Sequence, residues 1–341
     1  MTTLPAPRPV RELGPIDRPT FDADIRPARQ PVVLRGLAST WPAVAAGRKG
    51  AAAIVAYCKR FSHDTAVPAI VGDPAIEGRF FYNDDMTGMN FVRGVSPLAP
   101  FLDRLLREID RPTGYAMAIQ SIQAGELLPG FPEANAIDLV DREVPPRLWL
   151  GNRLRVAPHY DLMENIGIVV AGRRRFTLFP PEQVGNLYMS PLEFTPAGTP
   201  VSLVDIAAPD LDRFPRYAEA AAQAQTAVLQ PGDALYIPFQ WWHAVDSLDD
   251  VNLFANYWWT PPQPAMLNPS DALLHALFSV RLLPEDQRLA WRAMFDHLVF
   301  QTQGDPAAHI PEVARGVLGE ATAEQVSHAR DVLRHALEAR R

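Results

Sequence analysis

Ile166-Gly167-Ile168-Val169-Val170-Ala171-Gly172 is a β-branched run stopped by glycine, and it decides the fold class. Upstream lies Arg147-Leu148-Trp149-Leu150-Gly151, a second run of strand formers ending at glycine. Downstream, Phe176-Thr177-Leu178-Phe179-Pro180-Pro181 follows three arginines and stops at a proline pair, which cannot continue a central strand. Gly172, between two such runs, predicts a hairpin. Further on, the turn signal Pro231-Gly232-Asp233 introduces Ala234-Leu235-Tyr236-Ile237-Pro238. Short strands separated by turns over about 115–260 predict a sandwich or barrel of the jelly-roll type.

The flanks read differently. Residues 1–30 are proline-punctuated and read as an extended segment. Pro31 to Leu37 predicts a strand entering the fold, Ala51 to Phe61 a helix, and Arg79 to Asn83 a strand or hairpin arm. From Asn268 onward the pattern is helical. Ser270 is the expected N-cap of a helix over Ala272 to Leu283. A second helix is expected from Pro284 to Phe300, with Trp291, Met294, Phe295 and Leu298 on one face. A third begins where Thr322 and Gln325 stand in capping-box spacing, with Val326, Ala329, Leu333 and Leu337 along one face. The expected division is 1–30 extended, 31–265 catalytic, and 266–341 helical.

A formal charge of −7 argues against nucleic acid as the partner, because phosphate binding wants clustered cations. No stretch approaches the length of a membrane span, and the N-terminus lacks the apolar core of a secretory signal. Cys58 stands alone, which excludes an intrachain disulfide and fits a reducing, cytoplasmic compartment.

His159-Tyr160-Asp161 carries the chemistry. On a strand, residues i and i+2 share a face, so an imidazole and a carboxylate would project together. One more imidazole completes the 2-His-1-carboxylate set that holds iron and leaves positions open. Chance supplies roughly one His-x-acid match in a chain of this composition, so the tripeptide alone also reads as a strand end or a core histidine. The second imidazole comes from His243, delivered by a turn, an apolar strand and Trp241-Trp242; its bland reading is a histidine packed beside two tryptophans. The remaining histidines, His63, His275, His297, His309, His328 and His335, fall outside the β region.

Pro158-His159-Tyr160-Asp161, Asn165, Arg174 to Pro181, Gly232 to His243 and Asn256-Tyr257-Trp258 together resemble a JmjC oxygenase. The likeness is to the cupin-like branch that includes the asparaginyl hydroxylase inhibiting hypoxia-inducible factor. It covers about residues 30–265 and is strongest over 156–259. The resemblance implies a mainly β double-stranded β-helix core (jelly-roll, cupin, JmjC), an N-terminal α/β decoration and a helical C-terminal extension. It implies Fe(II) on His159, Asp161 and His243, and 2-oxoglutarate as co-substrate near Arg174, Asn165 and Asn256. It further implies hydroxylation of a protein side chain or small molecule, and a homodimer through the C-terminal helices. Arg174 replaces the branch's usual lysine, and its planar fork suits a carboxylate; a one-residue slip would put Arg173 or Arg175 there instead. Val156 replaces a hydroxyl residue, and the tyrosine of an earlier strand aligns only near Met117, with Gln120 and Ser121 following. Two other readings stand beside this one: a cupin metalloenzyme that does not use 2-oxoglutarate, and a non-catalytic metal-binding module.

Overall fold

The computed structural model describes residues 4–61, 66–110, 112–196, 198–260 and 267–338. They divide into two compact units, Met1–Trp259 and Thr260–Arg341. The first unit holds fourteen strands among its described residues: β1 (Arg8–Pro9), β2 (Arg11–Leu13), β3 (Val32–Leu34), β4 (Ala66–Gly72), β5 (Phe91–Pro97), β6 (Ala116–Gln123) and β7 (Arg147–Gly151) come first. Then follow β8 (Arg155–His159), β9 (Glu164–Ala171), β10 (Arg174–Phe179), β11 (Gln225–Leu229), β12 (Ala234–Ile237), β13 (Trp242–Ser247) and β14 (Asn252–Trp259).

Two sheets form, in the orders β1-β11-β10-β13-β8 and β2-β3-β12-β9-β14-β7-β6-β4-β5. The last eight strands are divided four and four between them, as a jelly roll requires. The central strands β9, β12 and β14 of the larger sheet are buried on both faces, so they are apolar almost throughout. Ile166, Ile168 and Val170 of β9 pack in a cluster with the helix Ala51–Phe61, through Ile54 and Val55, and the helix Leu98–Asp110, through Leu102 and Leu105. Val169 points the other way, into a cluster with Phe176, Leu178, Leu235, Val245 and Phe254 that fills the space between the sheets.

One expectation needs correction and another is narrowed. Residues 1–30 are not simply extended: Arg18–Thr20, Phe21–Ile25 and Arg26–Ala28 run on as a helical stretch. Asp17 caps it by accepting from the Thr20 amide at 2.9 Å, and Phe21 and Ile25 bury one face. Before it, β1 pairs with β11 and β2 with β3, so the segment belongs to the sheets. Arg79 to Asn83 makes only isolated bridges, Arg79 to Arg155 and Tyr82 to Met89. It makes the hairpin arm of the expectation rather than a full strand: the Asn83 amide donates to the Gly88 carbonyl at 2.9 Å, the Asn90 amide to that of Phe81 at 3.0 Å, and the Asn90 side chain accepts from the Phe81 amide at 2.8 Å.

The second unit carries helices Pro269–Ser279, Glu285–Leu298 and Ala323–Glu338. Asn268, not Ser270, caps the first, accepting from the Ser270 amide at 2.9 Å. The capping box of the third forms as expected: the Thr322 amide donates to Gln325 Oε1 at 2.9 Å, and the Gln325 amide to Thr322 Oγ1 at 3.2 Å. No helix among the described residues is long and apolar enough to cross a membrane.

Gly172 turns β9 into β10 with φ of +73°, and an added Cβ would lie 2.3 Å from Asn252 Oδ1 and 2.8 Å from the Val251 carbonyl oxygen. Gly172→Ala is therefore expected to destabilise the fold by about 2 kcal/mol or more in urea unfolding. Gly14→Ala, where nothing lies within 4 Å, serves as the neutral comparison.

Candidate metal centre

β8 ends at His159, and β13 places His243 directly opposite it. Their ring centroids are 4.3 Å apart. His159 Nδ1 lies 3.0 Å from the Ala157 carbonyl oxygen and His243 Nδ1 lies 3.1 Å from that of Trp241. A carbonyl can only accept, so each Nδ1 carries the proton and each Nε2 keeps a bare lone pair, the tautomer a metal ligand needs. Asp161 lies beyond the end of β8, so the turn rather than strand alternation brings its carboxylate round. The Gln240 amide holds that turn by donating to the Asp161 carbonyl at 3.1 Å. One ligand atom from each of His159, Asp161 and His243 lies within 4.8 Å of the others. Two imidazoles and one carboxylate with this convergence fit a divalent first-row metal, iron included.

His243 is 4% exposed. Burial, reinforced by the neighbouring His159 imidazole and opposed by the Asp161 carboxylate, pushes its pKa down to about 4. The imidazole is thus neutral across the physiological range.

Asp161 Oδ2 accepts two hydrogen bonds at 3.0 Å, from Asn165 Nδ2 and from Trp258 Nε1. Asn256 Nδ2 donates to Asn165 Oδ1 at 3.2 Å, and Trp149 Nε1 to Asn256 Oδ1 at 2.7 Å. Both asparagines thus hydrogen-bond toward Asp161. Trp149 escaped the sequence reading, although alternation along β7 shows it: Leu148 and Leu150 are buried, and Trp149 takes the opposite face.

The three arginines separate cleanly. Arg173 pairs with Asp249 at 2.9 Å and Arg175 with Asp246 at 3.7 Å, each half exposed. Arg174 shares the inward face of β10 with Phe176 and Leu178 and is 8% exposed. Its guanidinium stands over the Phe254 ring at 4.5 Å, and its Nε has no hydrogen-bond partner among the described residues. The Phe254 ring in turn fills the space above Gly167, where a Cβ would come within 2.2 Å of it. Burial draws the Arg174 pKa down to about 9. Arginine does not give up its proton near neutrality, so the shift reflects an interior cation with no ion-pair partner among the described residues.

Of the remaining residues, Met117 is buried in the core and Ser121 accepts at Oγ from Arg147 Nε at 2.8 Å. Gln120 lines a small crevice with Phe80, Phe91 and His159. Trp241 packs between the sheets, and Trp242 packs against Tyr160 at 4.8 Å. His63 lies outside the described residues.

The cupin-like domain family matches residues 18–264, and the chain belongs to it. Among curated relatives, human HSPB1-associated protein 1 is 35% identical over 131 residues, which is 38% of this chain and 25% of that protein. Lysine-specific demethylase JMJ31 of Arabidopsis thaliana is 32% identical over 132 residues, 38% of this chain and 22% of its own length. The tRNA wybutosine-synthesizing protein 5 of Danio rerio is 26% identical over 265 residues, 70% of this chain and 72% of its own. The alignments to HSPB1-associated protein 1 thus span about a quarter of its length. The family and these relatives are of the JmjC oxygenase type.

Between pH 6.5 and about 4 an unfolded imidazole binds a proton that buried His243 refuses, so over that window stability rises with pH. Metal-free protein should lose on the order of 1–3 kcal/mol on acidification across this range, and His243→Leu should lose correspondingly less. Urea midpoints at several pH values measure the difference; identical slopes in the two proteins would discard the assignment.

Proposed function

We propose that the chain is an Fe(II)- and 2-oxoglutarate-dependent hydroxylase, with His159, Asp161 and His243 as iron ligands and Arg174 as anchor of the co-substrate's far carboxylate. One observation carries this: a guanidinium with no ion-pair partner among the described residues, buried inside the same barrel that gathers the three ligand groups. Leu178 is paired with His243, and Arg174 stands four residues back along β10, roughly 13 Å of strand at ~3.3 Å per residue. An arginine side chain and a five-carbon diacid together span such a separation. The incoming carboxylate cancels the buried charge, and the guanidinium offers it two parallel N–H donors.

Bound there, ferrous iron supplies the activation of O₂ that no side chain can perform, with the keto acid as reductant. The protein's own part is binding, orientation and exclusion of water. His159 and His243 present bare Nε2 atoms; Asn165 and Trp258 hold the carboxylate; Phe80, Phe91 and Gln120 close the side next to His159. Asn165 and Asn256 serve the co-substrate through the same polar cluster. The relatives' names, lysine demethylase and tRNA wybutosine-synthesizing protein, point to different substrate classes; the substrate we propose is a protein side chain or a small molecule. The net charge disfavours nucleic acid. The lone buried Cys58 fits the cytoplasm.

A second reading draws on Val156 and Met117, which deprive the co-substrate of two hydroxyl partners: a cupin metalloenzyme without 2-oxoglutarate, or a non-catalytic metal-binding module. Succinate formation with Fe(II) separates these from the first. Under anaerobic conditions with Fe(II), 2-oxoglutarate at a hundred times its dissociation constant should stabilise the protein by about 2.7 kcal/mol, a rise of roughly 4–5 °C in Tm. His159→Ala, Asp161→Ala and His243→Ala should each lose stoichiometric iron, and Arg174→Ala should lose the Tm shift while keeping the iron. A shift that survives Arg174→Ala moves the anchor elsewhere.

For the second unit we propose pairing with a second copy of the chain. Within its helices Trp291, Met294 and Phe278 stand 47%, 49% and 67% exposed, an apolar surface of the kind that pairs with a second copy. Light scattering at micromolar concentration should give twice the 37.8 kDa chain mass. A clean monomer discards the dimer.

A further inference from the structure

We infer that Trp149, Asn256, Asn165 and Trp258 act together as a tether of fixed polarity that orients the Asp161 carboxylate, which makes Trp149 and Trp258 positioning residues for the metal. The inference rests on the iron-centre reading above. It begins with what each group can do. An indole N–H only donates, so Trp149 must face an acceptor, and Asn256 turns its Oδ1 to it at 2.7 Å. Asn256 Nδ2 is thereby aimed at Asn165 and donates to its Oδ1 at 3.2 Å. That leaves Asn165 Nδ2 for Asp161 Oδ2 at 3.0 Å. A carboxylate only accepts, so the chain of bonds ends there.

With a donor-only group at one end and an acceptor-only group at the other, each bond has one allowed direction. Neither amide can flip without losing the bonds on both its sides. Asn165 and Asn256 are 4% and 1% exposed, so water offers little replacement. Trp258 Nε1 approaches the same oxygen as Asn165, also at 3.0 Å. Two donors on one oxygen restrain the carboxylate against rotation about its χ2. The restrained oxygen lies 3.7 Å from His243 Nε2, so it is kept facing the imidazoles. The two indoles also touch edge to face at 5.9 Å, so each steadies the other's ring.

Packing alone would give the tryptophans a purely structural role, and phenylalanine would then serve as well. The test therefore removes only the N–H. Co(II) is titrated into full-length wild type, Trp258→Phe and Trp149→Phe without co-substrate, recording affinity and the visible d–d band. Supporting groups outside the ligands typically set metal affinity by 10–100-fold, so Trp258→Phe should bind Co(II) about tenfold more weakly, with an altered band. Trp149→Phe, which touches no ligand, should move both readouts the same way and less. Unchanged thermal midpoints of the metal-free proteins establish that the variants fold, and if Trp258→Phe does not fold, Trp149→Phe carries the test. Wild type that binds Co(II), with variants of equal affinity and superimposable spectra, overturns the tether and leaves the metal centre standing; tighter binding in the variants does the same. Wild type that takes up no Co(II) overturns the metal reading and the tether with it.

Discussion

The antiparallel contact between β8 and β13, with His243 set against His159, is the constraint on which the rest of the structure depends. The two residues are far apart in the chain, and only closure of the smaller sheet brings them together. The register shifts just past His243, so that Val245 lies opposite Val156 and both join the apolar filling between the sheets. A bulge at this point has a clear physical use: it changes which way neighbouring side chains face without ending the strand. Polar groups thus gather at one end of the barrel while its middle stays dry.

Burying that many polar groups is costly unless each is matched. The centre meets the requirement almost everywhere: imidazole Nδ1 atoms on carbonyl oxygens, amides on amides, indoles on oxygens. Arg174 Nε stands out against this thrift. Departures from the general rule of satisfied interiors concentrate where a protein does something besides fold.

Much of this was legible in the sequence, and for identifiable reasons. The jelly roll follows from β9, β10 and β12, whose strand formers and turn residues carry local signals that tertiary contacts do not override. His159, Asp161 and His243, proposed as a set from residue type and the JmjC likeness, do converge, each with a ligand atom within 4.8 Å of the others. The capping box at Thr322 is likewise local. What could not be read was the partner of each side chain. The tripeptide pattern suggests a shared strand face for His159 and Asp161, yet the strand stops and a turn makes the approach. The helical stretch after Asp17 depends on Phe21 and Ile25 finding a core that the first thirty residues do not contain. Asn165 and Asn256 were legible only through the JmjC likeness, and the direction of their hydrogen bonds needs Trp149, which lies on a different strand. Arg79 to Asn83 forms one arm of a short hairpin with Gly88 to Asn90 and extends no further as a strand.

Gly167 carries a consequence for how such a barrel can change over time. Its missing side chain admits the Phe254 ring, and that ring supports the Arg174 guanidinium. Three positions on three strands are therefore locked in sequence, from an absence to an aromatic face to a charge. Drift at 167 toward any larger residue must be matched by a smaller one at 254, and the platform under the cation then vanishes. A change at 167 therefore reaches the charge inside the barrel through the ring at 254, without touching Arg174 itself.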